Sequence, residues 1–467
     1  MTAIALLSAV AAMIIVALSG RRAAVVSPIL TAAWLTSLAL WSVFPLCFRF
    51  LAVPTSPSLD GGAWEQLALA QSLLSLSLAV IFLVSRRPIV PLVPAWARRV
   101  YLPVGWTTSF ALGALFLTLA VEVGIIRATG ASFGASTQFV VVAASGELAR
   151  VGLLESLLAV LVAFGIALLT LGREAGGRRA VRALGWALVL AHAAFSVLRG
   201  MRAAILLPAL VLLISVMSGA GPRRFRLSIV AAAVALTVLV GGPIAGAIGL
   251  VRGLGNTALT ADVVKQSYQH GMSWRSGRER ANLVLIEANR KLDSFQPGIE
   301  LLRIEPTGTG GFLPIVSAVL SPIPRAVYPS KPVPTSRDGT YLGTPYRIAA
   351  RAYGDPELGM VVPVTPVAIA LWEHGAAGLL LLWVANLIHL LLVNSFLLAP
   401  SPIMRALSIS VLSLPTAEFF LAPTASIIRD DLRLLFLAGV VVVLLVTMRK
   451  AAMAPRVHAA PEPGMIA

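Results

Sequence analysis

Apolar runs of about 20 residues, the length a helix needs to cross the hydrocarbon core of a bilayer, recur along most of this chain. They fall near residues 3–19, 25–47, 65–84, 101–121, 151–171, 183–199, 202–218, 227–249, 376–398, 403–421 and 432–448. Such runs satisfy their backbone polar groups only as helices. The expected fold class is therefore an all-α polytopic membrane protein with about 11 transmembrane helices. Composition agrees: charged residues make up only 12% of the chain, about half the share of a soluble domain. The first run starts at Met1 with no basic segment or small-residue cleavage site, and reads as a retained helix. Cys47 is the single cysteine, so no disulfide or thiolate metal site within the chain is expected.

Basic residues fix the orientation. Alternate loops carry Arg21–Arg22, Arg86–Arg99, Arg173–Arg182, Arg223–Arg226, Arg405 and the Arg449–Lys450 tail. That side holds 17 basic residues against two acids, and the other side 20 against 18. The near-purely basic side reads as the cytoplasm, with the N-terminus outside and the C-terminus inside. The chain then divides into an N-terminal bundle of about eight helices (1–250), an extracytoplasmic loop (251–375), about three C-terminal helices (376–450) and a cytoplasmic tail (451–467). A net charge of +17 spread in this way points to a lipid bilayer and not to nucleic acid.

One stretch breaks the pattern. Residues 183–218 would span about 54 Å as a single helix, too long for one crossing. Arg199-Gly200-Met201-Arg202 interrupts it, which sets two arginines at the outer boundary. A tight hairpin whose arginines reach to headgroups is one reading. An anion site at the outer mouth of the bundle is the other.

Residues 251–360 of the long loop add thirteen basic residues against nine acids. Around residues 260–292 it reads as helical, with Arg275, Arg278 and, less closely, Arg280 on one side. Farther on, prolines at 322, 324, 329, 332 and 334 exclude a long helix and predict a stiff strap that carries Arg325, Tyr328 and Lys331. Gly308, Gly310 and Gly311 give a bendable loop without a phosphate-cradling fingerprint. Residues 361–372 read as re-entrant or interfacial, because a further crossing would put the basic tail outside. Glu373 and His374 then face the arginines' compartment and are candidate general bases, with His270 a second candidate. His192 and His389 read as packed or interhelical hydrogen-bonding residues, and Asp430-Asp431 as a salt-bridge cluster with Arg429 and Arg433.

Guanidinium groups at an outer-leaflet site suit a phosphorylated amphiphile, because they bind phosphate bidentately and keep their charge. The same charges would stabilise a departing diphosphate, so no metal or cofactor is expected. Three pieces carry a family resemblance. They are Leu198-Arg199-Gly200-Met201-Arg202-Ala203-Ala204, the strap from Ile323 to Pro332, and Glu373-His374-Gly375-Ala376-Ala377-Gly378 at a helix start. In these and in overall order, the chain resembles the Wzy-type O-antigen or capsular repeat-unit polymerases. These share a plan with the O-antigen ligases and, more broadly, with GT-C-type membrane glycosyltransferases.

That resemblance implies a bacterial inner-membrane enzyme using undecaprenyl-diphosphate-linked glycans as donor and acceptor. A flippase and a chain-length regulator would be its partners. Arg199, Arg202 and Arg325 would hold the diphosphate with Lys331 assisting, and Arg278 joins the binding set. Glu373 or His374 would activate the acceptor hydroxyl. This sequence has His after Glu where an aromatic residue is more usual in the family. A ligase or other lipid-phosphosugar glycosyltransferase is the first alternative, and a non-enzymatic lipid-linked-oligosaccharide flippase or transporter the second.

Overall fold

The computed structural model describes residues 1–22, 24–50, 61–85, 107–129, 179–198, 294–305, 307–320, 364–399 and 423–453. Isolated positions at 158, 161–162, 165, 169, 265, 323, 328, 404–405 and 407–409 are also described. Every regular element among these residues is helical. Among the described residues, four helices are long and apolar enough to cross a membrane: Thr2–Gly20, Pro28–Phe50, Gly62–Val84 and Ala376–Leu397.

The first helix, α1 (Thr2–Gly20), shows why it packs as it does. Ala5, Ala9, Ala12, Val16 and Ser19 are buried at helical spacing, and Ile4, Leu7, Ile14 and Leu18 on the other side are exposed. Small residues let two backbones approach closely, which is how helices associate where lipid removes the hydrophobic drive. The neighbour is α4 (Gly61–Val84), whose Ala68, Leu78, Ala79 and Phe82 belong to the same core.

The turn after α1 is clasped from far along the chain. Ser27 caps α2 (Pro28–Leu38) by accepting a hydrogen bond from the Ile29 amide, and Pro28 takes the first helical position. Asn394, on α10 (Ala376–Leu397), accepts from the Ser27 amide at 3.0 Å and donates to the Val25 carbonyl at 2.8 Å. One buried amide thus pairs two backbone groups that the turn leaves free.

Between α2 and α3 (Phe44–Phe50) the helix widens into a π turn, Ala39–Val43. Pro45 has no N–H, so it cannot donate to the carbonyl of Trp41 four residues earlier. Gln71 of α4 supplies that donor, at 3.2 Å from the Trp41 oxygen. Its own carbonyl accepts from the Thr365 hydroxyl, at the start of α9 (Pro366–His374). Ten residues of α4 precede Gln71, so α9 begins about 15 Å along that helix from its start.

A seventh helix, α7 (Phe295–Ile304), packs beside α9. The Thr365 amide donates to the Ser294 carbonyl at 2.9 Å. Phe295 meets Trp64 of α4 edge-on at 5.1 Å, and the ring of Trp64 also receives the Arg49 guanidinium at 5.6 Å. Gly298 has no room for a side chain, because a Cβ there would meet Ala368 and Thr365. Part of the segment expected as an external loop is therefore packed into the helical bundle.

Two interhelical acid–imidazole pairs sit inside the helices. In α5 (Thr107–Thr129), Glu122 lies 2.7 Å from His192 of α6 (Arg179–Leu198). His389 of α10 lies 2.7 Å from Asp431 of α11 (Thr424–Met453). The histidines are thus interhelical partners, as the sequence suggests. Asp430 and Asp431 lie inside α11 and not ahead of it. Asp430 takes Arg429 as expected, at 3.0 Å, while Asp431 turns to His389.

Replacing Gln71 by Leu should leave the Trp41 carbonyl without its side-chain donor and lower stability by about 1–3 kcal/mol. Thermal unfolding in detergent reads this, and an unchanged midpoint would refute the assignment. Gly378→Ala should be at least as damaging, because its Cβ would run into the Ala370 carbonyl of α9.

Candidate functional site

The end of α9 carries the two candidate residues that the structure describes, Glu373 and His374. The helix stops at Gly375, whose φ of +59° and ψ of −143° suit glycine. The chain reverses there and enters α10 directly, with Gly378 packed on the Ala370 carbonyl.

A helix end leaves its last carbonyls unpaired, and buried ones need donors. Here the donors come from a glycine loop more than 60 residues upstream. The Gly308 amide reaches the Leu371 carbonyl at 3.0 Å, Gly310 reaches Trp372 at 3.0 Å, and Gly311 reaches Glu373 at 2.9 Å. Gly308 and Gly311 hold positive φ, +86° and +63°. Gly310 is needed for a different reason: a Cβ would press on the Trp372 ring and the Glu373 Cα. The glycines that resemble no phosphate cradle are therefore a helix cap delivered in trans. The Trp372 indole adds a further tie, donating to the Glu305 carboxylate at 2.9 Å.

The capped end fixes the chemistry of its side chains. Glu373 is 2% exposed, and its Oε2 is buried without a hydrogen-bond partner. Burial pushes its carboxyl up to about 8, so it keeps its proton at neutral pH. His374 lies against Phe312, with ring centroids 4.4 Å apart and planes inclined by 32°. Its Nε2 is likewise buried without a partner. Burial lowers the affinity of the imidazole for a proton, which favours the neutral ring. A protonated carboxyl can donate a hydrogen bond and cannot abstract a proton; a neutral imidazole can accept one. Of the two expected bases, His374 has the better protonation state.

The other expected site residues, Arg199, Arg202, His270, Arg278, Arg325 and Lys331, lie outside the described residues. Among the loop's described basic residues, Arg303 is tied to Glu300 at 2.8 Å on the same helix, which fits a local pair better than a substrate contact. Among the described residues no group of three or more His, Cys, Asp or Glu side chains comes together. Sequence reading missed Phe312, Glu305 and the capping role of Gly308–Gly311. A Gly-Gly-Phe step before an apolar helix was the visible signal, but its partner is distant in sequence.

No family model, no curated protein and no solved structure matches the chain. The fold and its composition define a class, a helical membrane protein in which a short helix ends on a buried carboxyl and an imidazole.

The protonation state can be tested through stability. The Glu373 pKa is raised from 4.5 to about 8 on folding. Its contribution is fully present below 4.5 and is lost as pH rises through 8. His374 acts in the opposite sense: its lowered pKa contributes above 6.5 and is lost as pH falls below that value. Wild-type protein should therefore lose thermal stability between pH 6.5 and pH 8, and Glu373→Gln should flatten that slope. Parallel slopes for the two proteins would show that Glu373 ionises normally.

Proposed function

We propose that this chain is a membrane glycosyltransferase that polymerises undecaprenyl-diphosphate-linked oligosaccharide repeat units at the outer face of a bacterial inner membrane. The observation that carries the reading is that α9 ends on a proton-holding carboxyl, Glu373, followed by a neutral imidazole, His374. The arginine pattern and the family resemblance supply the donor: a glycan on a lipid diphosphate, held by Arg199, Arg202 and Arg325 with Lys331 and Arg278 assisting.

In the reaction, the acceptor hydroxyl oxygen attacks the anomeric carbon of the donor sugar. The bond from that carbon to the diphosphate oxygen breaks, and its electron pair leaves with the lipid diphosphate. The hydroxyl proton passes to His374 Nε2. Arginines lower the barrier by meeting the negative charge that develops on the leaving group. The orientation with the N-terminus outside and the C-terminus in the cytoplasm belongs to this reading, since it puts Glu373, His374 and the arginines on one side.

Purified full-length protein, given a lipid-diphosphate repeat unit, should make a ladder of longer lipid-linked glycans, with or without a chelator. Transfer of one block to a different acceptor would instead mark a ligase, and movement of the lipid without transfer a flippase. Arg199→Ala and Arg202→Ala should each reduce kcat/KM by roughly a hundredfold. Full activity in either variant would remove that arginine from the site. His374→Ala should abolish turnover with little change in donor KM.

A further inference from the structure

Between Glu305 and Arg325 lie nineteen residues without a charge. Eight of them form α8 (Leu313–Leu320), with Pro314 in the first turn, where a missing N–H costs nothing. Pro314, Ser317 and Ala318 are buried, while Leu313, Val316 and Val319 are exposed, as is Phe312 just before them. A helix that lies in water keeps polar or charged side chains on its free face. This one shows aliphatic groups there, and its place in the bundle tells what covers them.

Three helices mark the two boundaries of the membrane. At one end of α1 and α4, Thr2 donates to the Glu65 carboxylate at 2.7 Å; at the other, Arg22 donates to the Leu83 carbonyl at 2.9 Å. Asn394 of α10 binds the turn that follows Arg22, so it lies at the second boundary. Ala376 is 18 residues, about 27 Å, from Asn394 along α10, which is also the distance from Thr2 to Gly20 along α1. The start of α10 is thus level with Thr2 and Glu65, at the first boundary.

Depth on α11 follows from its register. Ala385 packs on Ile427 and His389 is bound to Asp431, so α10 and α11 run in the same direction with partners 42 residues apart. Thr424, the first residue of α11, is then level with Leu382, about 9 Å inside the first boundary. The Cα atoms of α8 that pack on α11 come within 8 Å of its Cα atoms. Even against Thr424, such an atom stays on the membrane side of Ala376. The packed part of α8 therefore cannot lie in water above the bundle. A helix about 12 Å long is also too short to cross, so it belongs to one leaflet.

We propose that α8 is a re-entrant helix embedded in that leaflet, with Leu313, Val316 and Val319 against lipid acyl chains. Its attachments fit this place. The amides of Gly308, Gly310 and Gly311 bind the end of α9, where the chain turns into α10 at the boundary. Phe312 rests on His374 at the same level. Glu373 and His374 thus stand at headgroup height.

The test uses full-length protein in nanodiscs, with Cys47 replaced by Ser and a fluorescent label on a single introduced cysteine. Val316→Cys and Val319→Cys probe α8. Leu7→Cys on the exposed face of α1 marks lipid, and Thr307→Cys, exposed beside the glycine loop, marks water. Lipids brominated along their acyl chains should quench the α8 labels as strongly as the Leu7 label, and iodide should leave them as bright as it leaves that label. Quenching like that at Thr307 overturns the proposal. So does protection from both quenchers, the result that a second copy of the chain covering this face would give. Because a label can distort a short helix, Val319→Lys gives a second reading. Its thermal midpoint in nanodiscs should fall, and a fall no larger than that of Thr307→Lys counts against embedding.

Discussion

An unpaired backbone carbonyl is expensive away from water, and much of this fold is arranged around finding donors for the ones its sequence leaves over. Pro45 cannot donate to the Trp41 carbonyl, and Gln71 does. The turn between α1 and α2 leaves Val25, and Asn394 pairs it. The end of α9 leaves Trp372 and Glu373, and the Gly310 and Gly311 amides pair them, while Gly308 adds a second donor to Leu371 beside the Gly375 amide. In each case the donor comes from a segment far along the chain. The polar contacts within an otherwise apolar bundle are thus what join its parts in one register.

The candidate site follows from the last of these cases. Because the glycine loop closes over the end of α9, the side chains of Glu373 and His374 are drawn out of water. Burial then sets their protonation, raising the carboxyl and lowering the imidazole. An exposed helix end bearing the same two residues would present an ordinary carboxylate and a freely titrating histidine.

How much of this was legible beforehand varies with the range of the interaction. The apolar runs at 3–19, 65–84 and 376–398 agree closely with α1, α4 and α10. The short helix could be bracketed by Pro366 and Gly375, which are local signals. Hydropathy stopped two helices at their acids. The run ending at 121 continues as α5 through Glu122 to Thr129, and the one starting at 432 begins as α11 at Thr424, ahead of Asp430 and Asp431. A charge ends a helix in a hydropathy profile, but a histidine from the next helix lets it stay inside. Nothing near Glu122 or Asp431 in sequence announces His192 or His389, nor does anything near Gly308 announce α9. The candidate arginines and, apart from Ile323 and Tyr328, the strap lie outside the described residues.

The short helix α9 is held at both ends by different parts of the chain. Thr365, at its start, is bound to Gln71 and Ser294, while its final carbonyls are bound to residues 308–311. It is therefore a strut, fixed at one end to Gln71 and Ser294 and at the other to residues 308–311. A tug on Phe312 or α8 cannot be absorbed by bending so short a rod. It must either break the glycine amide contacts or pass along the helix to Gln71 and the widened turn at Trp41. An event at the surface would then be felt among the helices that cross the membrane.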